Sequence, residues 1–262
     1  VVANQTSFNA CHFVYGLGYL FCARFAGEKL NARKIIIAVV LFISLVLTNK
    51  RAHFLFLFLA LIITYYMIAV DKDKVKKIGI IVVIVALIMA VIYLLITYVK
   101  IGVFIKLKQM LMDYQNDEDI TDGRFIIYEN AMMYFFKNPL FEIGWEKYSS
   151  LPDAIYGGHI HNIYIELLCE TGIVGFIVFV SFFIYTLTKA IKNCKLAVTQ
   201  EDKTTAGFCL FMQLFFLLYG LTGNPLYDPP YYIPYFLCCA YTIHKRYRPL
   251  VGVPSNVGKH FK

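Results

Sequence analysis

The chain has 262 residues, of which 59% are apolar and only 16% are charged, and its mean hydropathy is +0.62. Because a soluble domain carries roughly 25% charged residues, this composition excludes an ordinary water-soluble globule. The formal net charge is +8, but Lys and Arg gather at the ends of apolar segments, which is typical of membrane topology and argues against a nucleic-acid partner.

Apolar segments that approach the length of a membrane span recur along the chain. In order, they cover residues 7–23, 35–48, 52–70, 78–99, 163–187, 204–221 and 227–243. The second is short, and the last contains Pro229, Pro230 and Pro234, which a spanning helix tolerates at its start or at a kink. The chain enters the first segment almost at once, so we expect it to be a fragment of a longer membrane protein.

The connections between these segments predict the orientation. Two kinds of connection alternate along the chain. Basic clusters lie at 24–34, 71–77, 189–203 and in the tail, and the connections between them lie at 49–51, 100–162 and 223–230. The connection at 223–230 has no Lys or Arg. The positive-inside rule places the first set in the cytoplasm. We therefore expect about four spanning helices in 1–99, an extracytoplasmic catalytic loop at 100–162, about three spanning helices in 163–243 and a basic cytoplasmic tail at 244–262.

The long outer loop is too long for a simple connection and too rich in aromatic residues to be disordered. We expect it to fold or to lie on the membrane surface. Residues 124–137 have the pattern of a helix, with Asp122 as the N-cap and Asn138-Pro139 as the stop signal. Arg124 then lies in the first turn of this helix.

Polar residues continue from the loop into the next apolar segment. His159 and His161 precede Asn162, Glu166 and Glu170, and the last three recur at helical spacing, which predicts one polar stripe near the outer end of the span. Ionisable residues at a membrane edge are costly, so we expect them to face a cavity or a partner. Histidine is suited to accept a proton near neutral pH, and arginine to bind phosphate with parallel hydrogen bonds.

Together these features resemble a known family. The resemblance rests on Gly123-Arg124, the aromatic helix, Asn138-Pro139-Leu140-Phe141-Glu142-Ile143-Gly144, His161-Asn162-Ile163-Tyr164 and Glu170-Thr171-Gly172-Ile173-Val174-Gly175. They resemble the O-antigen ligase/polymerase superfamily, which contains Wzy-type polysaccharide polymerases and WaaL-type ligases. Residues 48–223 are covered by the resemblance.

The resemblance implies an all-α polytopic membrane protein: a GT-C-like glycosyltransferase helix bundle with a large helical extracytoplasmic loop. It also implies a lipid-pyrophosphate-linked glycan donor, usually on undecaprenyl, a sugar hydroxyl as acceptor, and neither a metal nor another cofactor. His161 matches the catalytic histidine, Arg124 the loop arginine that acts on the pyrophosphate, and Arg51 a second pyrophosphate-binding arginine. The supporting residues are Asn162, Glu166, Glu170 and His159.

Each site residue has a purely structural alternative. The arginines can snorkel to the interface or pair with nearby carboxylates, and Glu166 and Glu170 can merely cap or pack. His159 can be the base in place of His161, or the two can bind a metal ion, although the sequence offers no evident third ligand.

We predict that the protein polymerises lipid-linked oligosaccharide repeat units into a capsular, exopolysaccharide or O-antigen chain on the outer face of a bacterial plasma (inner) membrane. Its expected partners are the undecaprenyl-pyrophosphate-linked glycan, membrane lipid, and a chain-length regulator or flippase of the same pathway. A ligase that transfers the glycan to lipid A core or protein is the close alternative. A polysaccharide transporter or flippase is the alternative of another class, but its ionisable residues should lie near the bilayer midplane.

Overall fold

The computed structural model describes residues 2–68, 124–141, 143–151, 159–245 and 247, and every regular element in these ranges is helical. The α-helices are α1 (Val2–Phe25), α2 (Ala32–Leu47), α3 (Arg51–Ile68), α4 (Arg124–Lys137), α5 (Ile163–Leu196), α6 (Gln200–Tyr219) and α7 (Pro229–His244), and a 3₁₀ helix covers Tyr148–Ser150. The predicted span at 78–99, the N-cap Asp122 and most of the basic tail lie outside the described residues.

Local sequence signals explain where several of the helices begin and end. The side chain of Asn31 accepts a hydrogen bond from the backbone N–H of Lys34 and caps α2, and Thr199 caps α6 in the same manner. The first turn of α7 holds Pro229 and Pro230, where a missing N–H costs nothing. The loop helix α4 has the predicted bounds of 124 and 137.

The bundle is organised around α6, against which α1, α3, α5 and α7 all pack. Its buried face carries a series of aromatic rings at helical spacing, Phe211, Phe215 and Tyr219, whose neighbouring centroids lie 6.3 and 6.0 Å apart. In contrast, α2 lies at the periphery, and Leu45 is its one buried residue. Most of the large apolar side chains of α2 are therefore exposed, as expected where the solvent is lipid.

Two of the described helices, α3 and α5, are long and apolar enough to cross a membrane. Only 28% of the most apolar window of α5 is buried inside the protein, whereas the core helix of a soluble protein would be mostly covered. Length, composition and exposure therefore agree with a helical membrane protein.

A break at Gly172 divides α5, which the sequence predicts as one continuous span. Gly172 adopts φ 66° and ψ −175°, a conformation that is almost restricted to glycine. Beyond the break, the backbone N–H of Ile173 donates to the carbonyl of Pro139 in the loop after α4, at 3.0 Å. Glu166 and Glu170 both lie in the short N-terminal part of α5 before the break, which we name the outer part after the predicted topology.

The outer part of α5 and the loop helix α4 share a small hydrophobic core, separate from that of the bundle. Its buried members are Ile127, Ala131, Tyr148, Ile160 and Cys169. The hydroxyl of Tyr148 donates to the Oδ1 atom of Asn130 at 2.9 Å, which satisfies two buried polar groups at the centre of this cluster. The described part of the outer loop is therefore a folded cap on the bundle.

Candidate functional site

The outer end of α5 is anchored to the turn that follows α6. Asn162 is the N-cap of α5: its Oδ1 atom accepts from two backbone N–H groups of the first turn, at 3.0 and 3.2 Å. Its Nδ2 atom donates to the carbonyl of Leu221 at 3.3 Å, and the backbone N–H of Ile163 donates to the carbonyl of Gly220 at 2.9 Å. Asn162 and Ile163 thus tie the start of α5, directly after His161, to this turn.

Arg124 binds the same turn from the side of the loop helix. It is the first residue of α4, half-buried, and its Nη1 atom donates to the carbonyl of Thr222 at 3.3 Å. Arg124 and the start of α5, directly after His161, therefore bind the same turn at 220–222, and the charge of Arg124 acts on His161. Sequence reasoning missed this turn, because it assigned residues 220 and 221 to the predicted span at 204–221, whereas the helix ends at Tyr219.

His161 is exposed and has a φ of +58°, which is uncommon for a residue other than glycine. Desolvation by the surrounding protein lowers the pKa of its imidazole, and the positive charges of Arg124, His159 and Lys50 lower it further. An imidazole in this environment is neutral near neutral pH, the state in which it can accept a proton.

The turn between α2 and α3 lies at the same end of the bundle. Lys50 belongs to this turn, and its charge reaches His161, as the lowered pKa of that imidazole shows. Arg51, the second predicted arginine, follows Lys50 directly as the half-buried first residue of α3. The turn that carries Lys50 and leads into Arg51 therefore lies at the same end of the protein as Arg124 and His161.

His159 has the opposite environment. Its Nδ1 atom lies 3.1 Å from the Oε1 atom of Glu166, whose side chain is completely buried. This hydrogen bond, with the negative charges of Glu166, Glu146 and Asp228, raises the pKa of His159 against the opposing effect of desolvation. The pKa values of two histidines separated by one residue are therefore shifted in opposite directions.

Glu170 supports the architecture of the loop. Its carboxylate accepts from the backbone N–H groups of Glu146 at 2.7 Å and Tyr148 at 3.1 Å, and also from the hydroxyl of Tyr227. The ring of Tyr227 stacks on Trp145 with a centroid distance of 4.9 Å. The predicted polar stripe of α5 is therefore divided: Asn162 caps the helix, Glu166 binds His159, and Glu170 orders the segment around Trp145.

Several buried polar atoms at this end have no hydrogen-bond partner among the residues that the structure describes. They are the Oε2 atom of Glu166, the Oγ1 atom of Thr222 and both amide atoms of Asn224. Buried polar groups are normally satisfied, so these atoms can bind hydroxyl groups of a ligand or solvent. Within the described ranges, no group of three or more His, Cys, Asp or Glu side chains is arranged to bind a metal ion.

Comparison with known protein families identifies a match. A family model described as O-antigen ligase matches residues 36–180, more than half of the chain. The matched part includes Arg51, Arg124 and His161, together with the break at Gly172. No curated protein matches the chain at a significant level.

Proposed function

This chain belongs to the O-antigen ligase family, and we propose that it is a polymerase, which joins lipid-pyrophosphate-linked oligosaccharide repeat units. Membership makes it a membrane glycosyltransferase-like enzyme that acts on lipid-linked glycans. The finer proposal is that the donor lipid is undecaprenyl pyrophosphate, that the membrane is the bacterial plasma membrane, and that catalysis takes place on its outer face without a metal ion.

The observation that carries the proposal is the approach of Arg124 and His161 through the turn at 220–222. Glycosyl transfer needs a base for the acceptor hydroxyl and a cation for the leaving pyrophosphate. Arg124 and His161 supply these two groups at one end of the bundle, where the charge of Lys50 also acts on His161. Because the polyprenyl tail of the donor stays in the bilayer, the reacting carbon must lie at such a membrane edge.

In the proposed mechanism, the acceptor oxygen forms a bond to the anomeric carbon of the donor sugar and gives its proton to neutral His161. The bond between the anomeric carbon and the phosphate oxygen breaks, and the lipid pyrophosphate leaves with the electron pair. Arg124 and Arg51 stabilise its charge by hydrogen bonds to phosphate oxygens. The proton on His161 then passes to water.

The distribution of charge favours an enzyme over a transporter. A transport pathway needs polar residues near the midplane of the membrane. Here Arg124, His159 and His161 gather with Lys50 at one end of the bundle.

The test is reconstitution of the full-length protein with a lipid-linked repeat unit, followed by gel analysis of product length. A polymerase produces a ladder, and a ligase produces a single transfer to a different acceptor. We expect Arg124→Ala and His161→Ala to lower the rate by about 10²-fold or more each, as for the loss of an electrostatic stabiliser and of a positioned base respectively. Normal elongation by both variants would refute the proposal.

The matched controls are Lys137→Ala, at the opposite end of α4, and His244→Ala, an exposed histidine at the end of α7. Both should elongate at the wild-type rate. Addition of EDTA should also leave the rate unchanged, and a loss that Mg²⁺ or Mn²⁺ restores would overturn the proposal that catalysis is metal-independent.

A further inference from the structure

His159 and His161 lie on either side of Ile160, which is completely buried in the small core of the cap. This anchor fixes the backbone between the two imidazoles, while His161 takes the left-handed conformation. The two side chains consequently enter different surroundings although they are separated by one residue. His161 faces the cations Arg124 and Lys50.

His159 faces carboxylates from each of the elements around it. Glu166 comes from α5, Glu146 from the segment before the 3₁₀ helix, and Asp228 from the residues before α7. The centroids of the Tyr227 and His159 rings lie 5.1 Å apart, and among the described residues His161 is a further titratable neighbour. Among the described residues, His159 is the basic side chain that the structure shows within ion-pair distance of the completely buried carboxyl group of Glu166.

The hydrogen bond to Glu166 also orients the ring. Because Nδ1 is bound to the carboxylate, Nε2 is the nitrogen that can reach a ligand, and the side chain is 37% exposed. A buried carboxylate that holds one imidazole nitrogen fixes the direction in which the other nitrogen donates.

We propose that His159, positioned by Glu166, is a second catalytic residue that donates its Nε2–H to an oxygen of the departing pyrophosphate while His161 accepts the proton of the acceptor hydroxyl. The inference rests on the proposed function and assigns separate roles to the two histidines. Glu166 is then a positioning residue, since it acts on the substrate only through His159.

The roles are consistent with a balanced reaction. The acceptor oxygen loses its proton to His161, and the anomeric carbon exchanges its bond to the phosphate oxygen for a bond to the acceptor oxygen. The leaving pyrophosphate keeps the electron pair and gains negative charge. His159 donates a hydrogen bond to that charge and keeps its own proton, so it needs no reprotonation before the next cycle.

The opposite pKa shifts of the two histidines support this division. His161 must be neutral, so the rate should rise as pH increases through its lowered pKa. His159 must be protonated, so the rate should fall as pH increases through its raised pKa. The expected profile is a bell with an ascending limb from His161 and a descending limb from His159.

The experiment measures the pH dependence of elongation by the full-length protein in proteoliposomes, at saturating lipid-linked repeat unit. With Glu166→Gln, the descending limb should move to lower pH, because His159 loses the charge that raises its pKa. With His159→Gln, the descending limb should disappear, and the maximum rate should fall roughly 10- to 100-fold, as for the loss of one charge-assisted hydrogen bond. With His159→Lys, a permanent cation should restore part of the rate, with the descending limb displaced to higher pH.

A matched control is Glu129→Gln, which removes an exposed carboxylate from α4 and should leave the profile unchanged. Inhibition by inorganic pyrophosphate gives a second readout, and His159→Gln should weaken it. The inference is overturned if His159→Gln retains the wild-type descending limb and the wild-type inhibition, or if Glu166→Gln lowers the rate equally at every pH.

Failure of the proposed function gives a different result. In that case the wild-type protein itself yields no elongated product at any pH, and His161→Ala changes nothing. An active wild type that loses activity with His161→Ala but not with His159→Gln refutes only the role of His159.

Discussion

At the scale of single residues, Arg124 and the segment that carries His161 both bind the backbone of the turn at 220–222. Arg124 donates to the carbonyl of Thr222, and Asn162 fastens the start of α5 to the adjacent carbonyl of Leu221. The charge of Arg124 also contributes to the lowered pKa of His161. Arg124 therefore has two proposed effects, one on the pyrophosphate and one on the base.

These two effects can be separated by substitution. Arg124→Ala should move the ascending limb of the pH–rate profile to higher pH, because removal of a positive charge lets the pKa of His161 rise. Arg124→Lys should keep that limb in place but lower the rate by about tenfold, since an ammonium does not offer the bidentate fork of a guanidinium. The measurement is the initial rate of elongation as a function of pH.

Lys137→Ala is the control, because it removes a positive charge from the other end of the same helix. An ascending limb that stays in place in Arg124→Ala would show that this guanidinium does not influence the base.

At the scale of the elements, the break in α5 decides where the polar groups of this helix are directed. At Gly172 the backbone leaves the helical path, and the N–H of Ile173 bonds to Pro139 of the loop. The outer part of α5 thereby keeps Glu166 beside His159 and Glu170 beside the loop backbone.

Gly172→Ala should consequently affect both stability and catalysis. A Cβ atom at this φ and ψ costs about 1–3 kcal/mol of strain, which lowers the thermal midpoint of the purified protein. Relief of that strain by straightening α5 would turn Glu166 and Glu170 away from their partners and lower the elongation rate. Thermal unfolding in detergent and activity in proteoliposomes measure the two effects.

Gly27→Ala is a suitable control, because Gly27 also has a positive φ, of 98°, but lies in the turn between α1 and α2. The Gly27→Ala variant should have a lower thermal midpoint than the wild type but the same elongation rate. Equal losses of activity in the two variants would show that the break at Gly172 has no specific catalytic role.

The exposed face of the loop helix α4 is a second feature at this scale. Four large apolar side chains on it, Phe125, Ile126, Met133 and Phe136, are between 52% and 71% exposed. The opposite face packs into the small core of the cap through Ile127 and Ala131. The loop thus folds, and its exposed apolar face is the type of surface that binds to a membrane interface.

The depth of the cap in the membrane can be measured with its own tryptophan. Trp145 is the only tryptophan of the chain and is 43% exposed. We expect lipids brominated near the headgroup to quench its fluorescence in proteoliposomes. The double variant Trp145→Phe with Phe136→Trp should be quenched as well, since it moves the reporter to the exposed face of α4. Strong quenching by aqueous iodide without quenching by brominated lipid would place this face in water.

At the scale of the whole molecule, two hydrophobic cores meet at the proposed site. The larger core surrounds α6, and the smaller one joins α4 to the outer part of α5. The turn after α6 belongs to the bundle but binds the cap through Arg124 and Asn162. Relative movement of bundle and cap would therefore change the distance between the proposed catalytic groups.

The predicted orientation places the cap outside the cell. A membrane-impermeant maleimide should therefore label Lys137→Cys in intact cells, but Lys195→Cys only after permeabilisation; both positions are exposed. The unsubstituted chain is the control for background labelling, which should be low because six of its seven cysteines are buried. The reverse labelling pattern would show that the topology is inverted and that the proposed reaction takes place on the cytoplasmic face.

By itself, the sequence determined the helical class, the bounds of the loop helix α4 and the family. Apolar segment length, caps and prolines act over a few residues, so α4 begins at Arg124 and ends before Asn138-Pro139 as predicted. The motifs around Arg124 and His161 are likewise local, and the family match confirms the resemblance that they carry. The roles of the site residues stay predictions.

Only the tertiary structure decided which groups these residues contact. Helical spacing places Asn162, Glu166 and Glu170 on one stripe, but it does not show that they bind a turn, a histidine and a loop respectively. Their partners are distant in sequence or lie on irregular backbone, whose course no periodicity predicts. The break at Gly172 is of the same kind, because the bond that it permits joins Ile173 to the carbonyl of Pro139 in a different element.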